Sequence, residues 1–275
     1  MLILKLLLAP ALVVASSLAG RRWGPSLAGT LVALPIVAGP ILGIAGLEHG
    51  RVFAARAASA SLLGLVSLAL FAVVFALLSR APRTGHWAVT LLPAWLVCLI
   101  ADLALSRISV PPVGALGLSF AATACGARAL ARAEDRTEAA SGTRTPRTSP
   151  RPWWDLPARA AATALLVTAV TTAATHLGPG LTGVLAPFPI GTSVVATFSL
   201  VQGGAAVATT TLRGVLRGLW GFAAFCFLVS VLIEPLGTGP AFGIAVVCTL
   251  ALQVTMSRLR TVTAPRKPLA AQPSQ

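Results

Sequence analysis

Residues 24–50 read GPSLAGTLVALPIVAGPILGIAGLEHG, and residues 178–204 read GPGLTGVLAPFPIGTSVVATFSLVQGG. The second stretch lies 154 positions after the first. With no gap, Gly24 falls on Gly178, Pro25 on Pro179, Gly29 on Gly183, Pro35 on Pro189 and Gly50 on Gly204. Matches among Ala, Leu and Val carry little weight in so apolar a chain. Gly and Pro positions carry more, because each constrains the backbone. The stretch therefore reads as an internal repeat.

The chain is 56% hydrophobic and only 10% charged, where a soluble domain carries roughly 25% charged residues. That composition predicts an all-α, polytopic integral membrane protein. A spanning helix needs roughly 20 apolar residues, and nine segments qualify: 2–19, 25–47, 57–79, 87–106, 109–127, 159–176, 179–201, 212–233 and 238–257. The first resembles a secretory signal, with Lys5 ahead of an apolar run. The repeat lays it on a mid-chain run where no cleaved signal can be, so it reads as a spanning helix. The net charge of +14 is spread over short inter-helix segments and tails, where it sets topology rather than binding nucleic acid.

The resulting organisation is a first four-helix unit over 1–107, a connecting helix over 108–127, a disordered basic linker over 128–157, a second four-helix unit over 158–260 and a disordered tail over 261–275. A single connecting helix between two four-helix units turns the second upside down, which predicts inverted-topology repeats. Arg21, Arg22, Arg80, Arg83, the basic run from Arg128, Arg213, Arg217, Arg258, Arg260, Arg266 and Lys267 then share one side. The positive-inside rule makes that side cytoplasmic, with the N-terminus outside and the C-terminus in the cytoplasm of a bacterial inner membrane. Arg51 and Arg56 fall on the other side.

Each unit follows its first helix with a Gly- and Leu-rich helix that carries Pro near its middle and ends on a polar residue before Gly. These positions are Ala28, Gly29, Leu34, Pro35, Glu48 and Gly50, then Gly183, Phe188, Pro189, Gln202 and Gly204. The order resembles the GlpM-like family of small four-helix bacterial inner-membrane proteins, as a fused tandem duplication. Gln202 stands where that pattern has an acid. The resemblance implies a membrane location and no agreed biochemical activity.

A proline within a helix frees the carbonyl four residues earlier, here those of Leu31 and Leu185. Pro35 lies about 16 Å along its helix, roughly half the hydrocarbon core. Interruptions at the midplane of inverted units are where secondary transporters place substrate, so Pro35, Pro189, Leu31, Leu185, Thr192 and Ser193 are the candidate substrate pathway. Thr168, Thr171, Thr172 and Thr175 could extend it. The plainer alternative is a pair of kinked, packed helices whose hydroxyls bond their own backbone. Gly39 and Gly43 form a G-x-x-x-G that, with Gly29 and Gly183, suits close helix packing between the units. Asp102 is the acid well inside an apolar run, which makes it the candidate for proton or cation coupling. A water-reached or Arg-paired carboxylate is the alternative. Arg213 and Arg217 read as lipid-snorkelling cations.

No phosphate loop, G-x-S-x-G, paired acid and base or His/Cys metal spacing is present. The expectation is a protein that is not an enzyme, with no cofactor and no metal. Its partners are the lipid bilayer and a small solute or ion, with no nucleic acid and with a second copy of the chain as a further candidate. Transport of that solute or ion is the leading function. A non-transporting membrane accessory or assembly protein is the rival.

Overall fold

The computed structural model describes residues 2–34, 38–81, 87–108, 110–141, 153–177 and 188–263. Among them all regular structure is helical: α1 Leu2–Trp23, α2 Pro25–Val32, α3 Ala38–His49, α4 Arg51–Leu78, α5 Trp87–Leu105, α6 Pro112–Ser141, α7 Asp155–Leu177, α8 Ile190–Leu236 and α9 Thr238–Thr263. Five are long and apolar enough to cross a membrane: α4, α5, the Pro112–Glu134 part of α6, α8, and Thr238–Met256 of α9. On α5, Leu92, Leu96, Ile100 and Leu103 are exposed at helical spacing, as are Val246, Val247, Leu250 and Val254 on α9. Apolar stripes of this extent suit lipid rather than water, and the protein is an all-helical membrane protein.

α8 bends at Gly204, whose φ of 74° and ψ of −175° are not helical, into a short arm over 190–203 and a long arm over 205–236. Gly50 separates α3 from α4 with φ 89° and ψ 167°. No atom would crowd a Cβ at either glycine, so the backbone angles alone demand glycine there. Gly204→Ala is expected to cost about 1–3 kcal/mol, read as a lower unfolding temperature in detergent. Gly243→Ala, at an open position of α9, should instead stabilise by about 0.5–1 kcal/mol. Equal stability of the two variants would show that glycine does not fix the bend.

The centre of the bundle is α4 against the long arm of α8, filled by Phe71, Phe75, Phe225, Leu212, Leu216 and Leu219. The two run antiparallel: Arg80 Nε donates to Thr209 Oγ1 at 3.3 Å at one end, and Arg51 lies against Gly237 at the other. α6 covers this seam, with Gly126 against Val73 and Leu216 and Phe120 stacked on Trp220 at 4.6 Å. α9 runs back along the long arm, where Gln253 Nε2 donates to the Gly218 carbonyl at 3.2 Å. α1 and α7 are also antiparallel, since Arg21 near the end of α1 pairs with Asp155 at the start of α7. One end of the bundle thus gathers Arg21, Arg80, Asp155, Arg159, Thr209 and Arg213. Gly204 lies near that end, whereas Gly50, beside Arg51, lies at the other.

Several expectations change. The 25–47 segment is not one helix: α2 stops at Val32 and α3 begins at Ala38. Nor is the Leu31 carbonyl left open, because the Leu34 N–H donates to it at 3.2 Å in a tightened last turn. Pro189 sits at the N-terminal boundary of α8 rather than inside a helix, where its missing N–H and fixed φ are harmless. Residues 128–141 continue α6 as helix instead of opening a disordered linker. The run RALARAEDRTEAAS is polar but rich in Ala, Arg and Glu, all strong helix formers. Trp153 and Trp154 form an exposed turn directly before α7. Pro35, Gly183, Leu185, linker residues 142–152 and tail residues 264–275 lie outside the described residues.

Candidate functional site

Three polar features are built into the helix seams. The first is where α2 ends and α8 begins. A Cβ on Gly191 would stand 3.2 Å from Val32 Cγ2 and 3.6 Å from Val13 Cγ2, so the start of α8 abuts the end of α2 and the flank of α1. From α5, Trp95 Nε1 donates to Ser193 Oγ at 2.8 Å, and the Trp95 ring meets Phe188 at 5.2 Å. Thr192 and Ser193 are buried. The first turn of α8 has no side-chain cap, which leaves helix-start N–H groups directed at the junction. One turn further, the buried Thr197 hydroxyl has no hydrogen-bond partner. An uncapped helix start beside a helix end can hold a small polar group by its N–H groups and dipole.

The second feature is Asp102. Asp102 is 5% exposed, and no ion pair reaches it among the described residues. The Cys98 thiol, one turn earlier on α5, donates to Oδ2 at 3.8 Å. Across the seam, the fully buried Ser67 hydroxyl of α4 faces the carboxylate without reaching hydrogen-bond geometry to any partner.

The third lies at the charged end, where α1, α7 and the short arm of α8 meet. Asp155, wholly buried, accepts from Arg21 Nη2 at 2.7 Å and from Arg159 Nε at 2.8 Å, and from the Gln202 amide. Arg159 also donates to Gln202 Oε1 at 3.1 Å and Ser17 Oγ at 3.3 Å, and its guanidinium covers the Phe198 ring at 4.9 Å. Burial alone would push the Asp155 carboxyl up. Hydrogen bonds from Arg159, then Arg21 and Gln202, outweigh it and hold the carboxyl below its ordinary range. Asp155 precedes the apolar 159–176 segment, and its place in the first turn of α7 adds favourable dipole interaction.

The residues singled out in the sequence divide among these sites. Ser193, Thr192 and Pro189 meet at the junction, with Leu31 half-buried on α2 nearby. Thr168 points outward and bonds the Ala164 carbonyl of its own helix, so it does not line a path with Ser193. Gly29 packs on the backbone of Thr211 and Val215, Gly39 near Phe225 and Gly43 near Phe242. Arg213 pairs with Glu134 of α6, and Arg217 donates to Ser26 Oγ at 3.0 Å. Both therefore have partners inside the protein rather than only lipid. Sequence reasoning missed Trp95, Ser67 and the Asp155–Arg159–Gln202 cluster. Asp155 and Arg159 stand four apart at a helix start, the one local signal of a pair.

Fold and sites together define an all-helical membrane protein with polar groups held in the seams between its helices. Comparison of the chain with protein families, curated proteins and solved structures returns no match.

Proposed function

We propose that the chain is a secondary transporter built from two inverted four-helix units, a fused duplication resembling the GlpM-like pattern, which moves a small solute or ion through the α2–α8 junction. The observation that carries this reading is that a helix break and a helix start, placed at corresponding points of the 154-residue repeat, touch. The helix break after Val32 and the helix start at Pro189 meet at Gly191. Discontinuous helices facing each other between antiparallel units are how such proteins expose backbone groups to a solute.

The surrounding helices support the same symmetry. At this offset α1 corresponds to α7, and α4 to the long arm of α8; both pairs run antiparallel. Trp95 of α5 touches the short arm of α8 at Ser193, while Phe242 of α9, its counterpart, touches α3 at Gly43. With nine crossings and the positive-inside rule, the Arg-rich end faces the bacterial cytoplasm, with the N-terminus outside.

The rival reading, a non-transporting accessory or assembly protein, is favoured by the glycine-packed contact of α2 on α8 at Gly29, Gly214 and Gly218. Ser193→Cys separates the two. In a chain whose Cys98, Cys125, Cys226 and Cys248 are replaced by Ala, a charged, membrane-impermeant thiosulfonate should modify the new thiol from one face of oriented vesicles. Absence of reaction from both faces would overturn the transport reading in favour of a packed seam.

A further inference from the structure

We propose that Asp102, with Ser67 and Cys98 around it, is an exchangeable-proton site in the α4–α5 seam. Its role in coupling rests on the transport reading, but its chemistry does not.

At about 1.5 Å per residue, Ser67 lies roughly 16 Å from the Leu78 end of α4 and about 24 Å from the Arg51 end. The carboxyl facing it is therefore deep along the central helix rather than at its rim. The outer face of α5 beside it, Leu96, Ile100 and Leu103, is an exposed apolar stripe.

The groups acting on Asp102 are the Ser67 hydroxyl from α4 and the Cys98 thiol from α5, and no charged side chain among the described residues adds to them. A hydroxyl both donates and accepts. Ser67 can donate to the carboxylate and accept from the carboxylic acid, and it has no other partner to hold it in one orientation. One side chain thus serves both protonation states, which is what proton exchange requires. A metal or alkali cation is less well served: hard cations take six or more oxygen ligands. Among the described residues no group of three His, Cys, Asp or Glu gathers anywhere.

The test is the apolar reagent dicyclohexylcarbodiimide on the full chain in lipid vesicles. The acid O–H adds across one C=N bond of the reagent, and the O-acylisourea rearranges to a stable N-acylurea. Nothing leaves and no electron is transferred. Mass spectrometry should find one added carbodiimide on the Asp102 peptide, with a rate that falls as pH rises between about 5 and 9 and approaches tenfold per pH unit once the acid is the minor form. A water-soluble carbodiimide should label that peptide far more slowly. Ser67→Ala should shift the pH profile while leaving the thermal unfolding curve nearly unchanged. No label at any pH, a rate independent of pH, or protection by sodium over choline at fixed pH would overturn the proposal, the last in favour of a cation site. Wild-type labelling needs no variant to fold, and it can succeed even where Ser193→Cys proves inert. The two readings therefore fail separately.

Discussion

Asp155→Ala should lower the stability of the folded protein in detergent by about 3 kcal/mol, the low end of what removing one partner of a buried ion pair costs. The loss comes from what stays behind. Arg159 has a side chain only 7% exposed and would lose the buried carboxylate it faces, while keeping Ser17, Gln202 and the Phe198 ring. Arg21, about a third exposed, can turn to solvent, which is why the upper end of the range is not expected. Glu134→Ala is the matched contrast at the same end of the bundle. Its pair with Arg213 is partly exposed on both sides, so its loss should cost no more than about 1 kcal/mol. Thermal unfolding of the two variants decides the point. If Glu134→Ala is as damaging as Asp155→Ala, burial is not what gives the α1–α7–α8 cluster its weight. The cluster also has a pH signature. The folded Asp155 carboxyl titrates below its unfolded value, so its contribution is complete above about pH 4. It is lost as pH falls through the folded value, with no change expected between about pH 5 and pH 8.

How these features stand in the sequence differs with their range. Membrane-length helices are local, since a run of apolar residues needs no partner to be recognised. Gly50 and Gly204 are marked locally too, because the repeat aligns them and only glycine readily takes their angles, although the bend itself shows only in the fold. The junction is partly legible: the prolines mark interruptions, but whether a proline kinks a helix, ends it or opens the next depends on the turn around it. The Asp155 cluster could not be read, because Arg21, Asp155 and Gln202 are far apart in the chain and meet only once α1, α7 and α8 pack. Seen alone, Asp155 is an acid at the end of a polar stretch, where solvent is the default partner. Residues 128–141 misled for the opposite reason: without an apolar face they resemble linker, yet their propensity is helical and α6 carries them on.

Gly214→Leu should abolish recovery of monodisperse protein, with Gly214→Ala already costing about 2 kcal/mol or more. α2 and the long arm of α8 touch backbone to backbone. A Cβ on Gly214 would overlap the Ser26 carbonyl, one on Gly29 would overlap the Thr211 carbonyl, and one on Gly218 would stand 2.6 Å from the Thr30 carbonyl oxygen. None of the three carbonyls can swing aside as a side-chain end can, so the helices must separate, and the Thr30 Oγ1 bond to the Gly214 carbonyl at 3.0 Å goes with them. Small residues at such contacts are what allow membrane helices to approach this closely. The same contact fixes the end of α2 against α8, one turn from the junction at Gly191. If Gly214→Ala still folds, it should speed thiosulfonate modification of Ser193→Cys, because an α2 that sits further out uncovers the start of α8. A stable Gly214→Ala protein with unchanged reactivity at position 193 would mean that the α2–α8 contact packs the bundle without holding the junction closed. That outcome would favour the non-transporting reading. Gly117→Ala, on α6 with open space around it, should not lower stability and should leave the reactivity at position 193 unchanged.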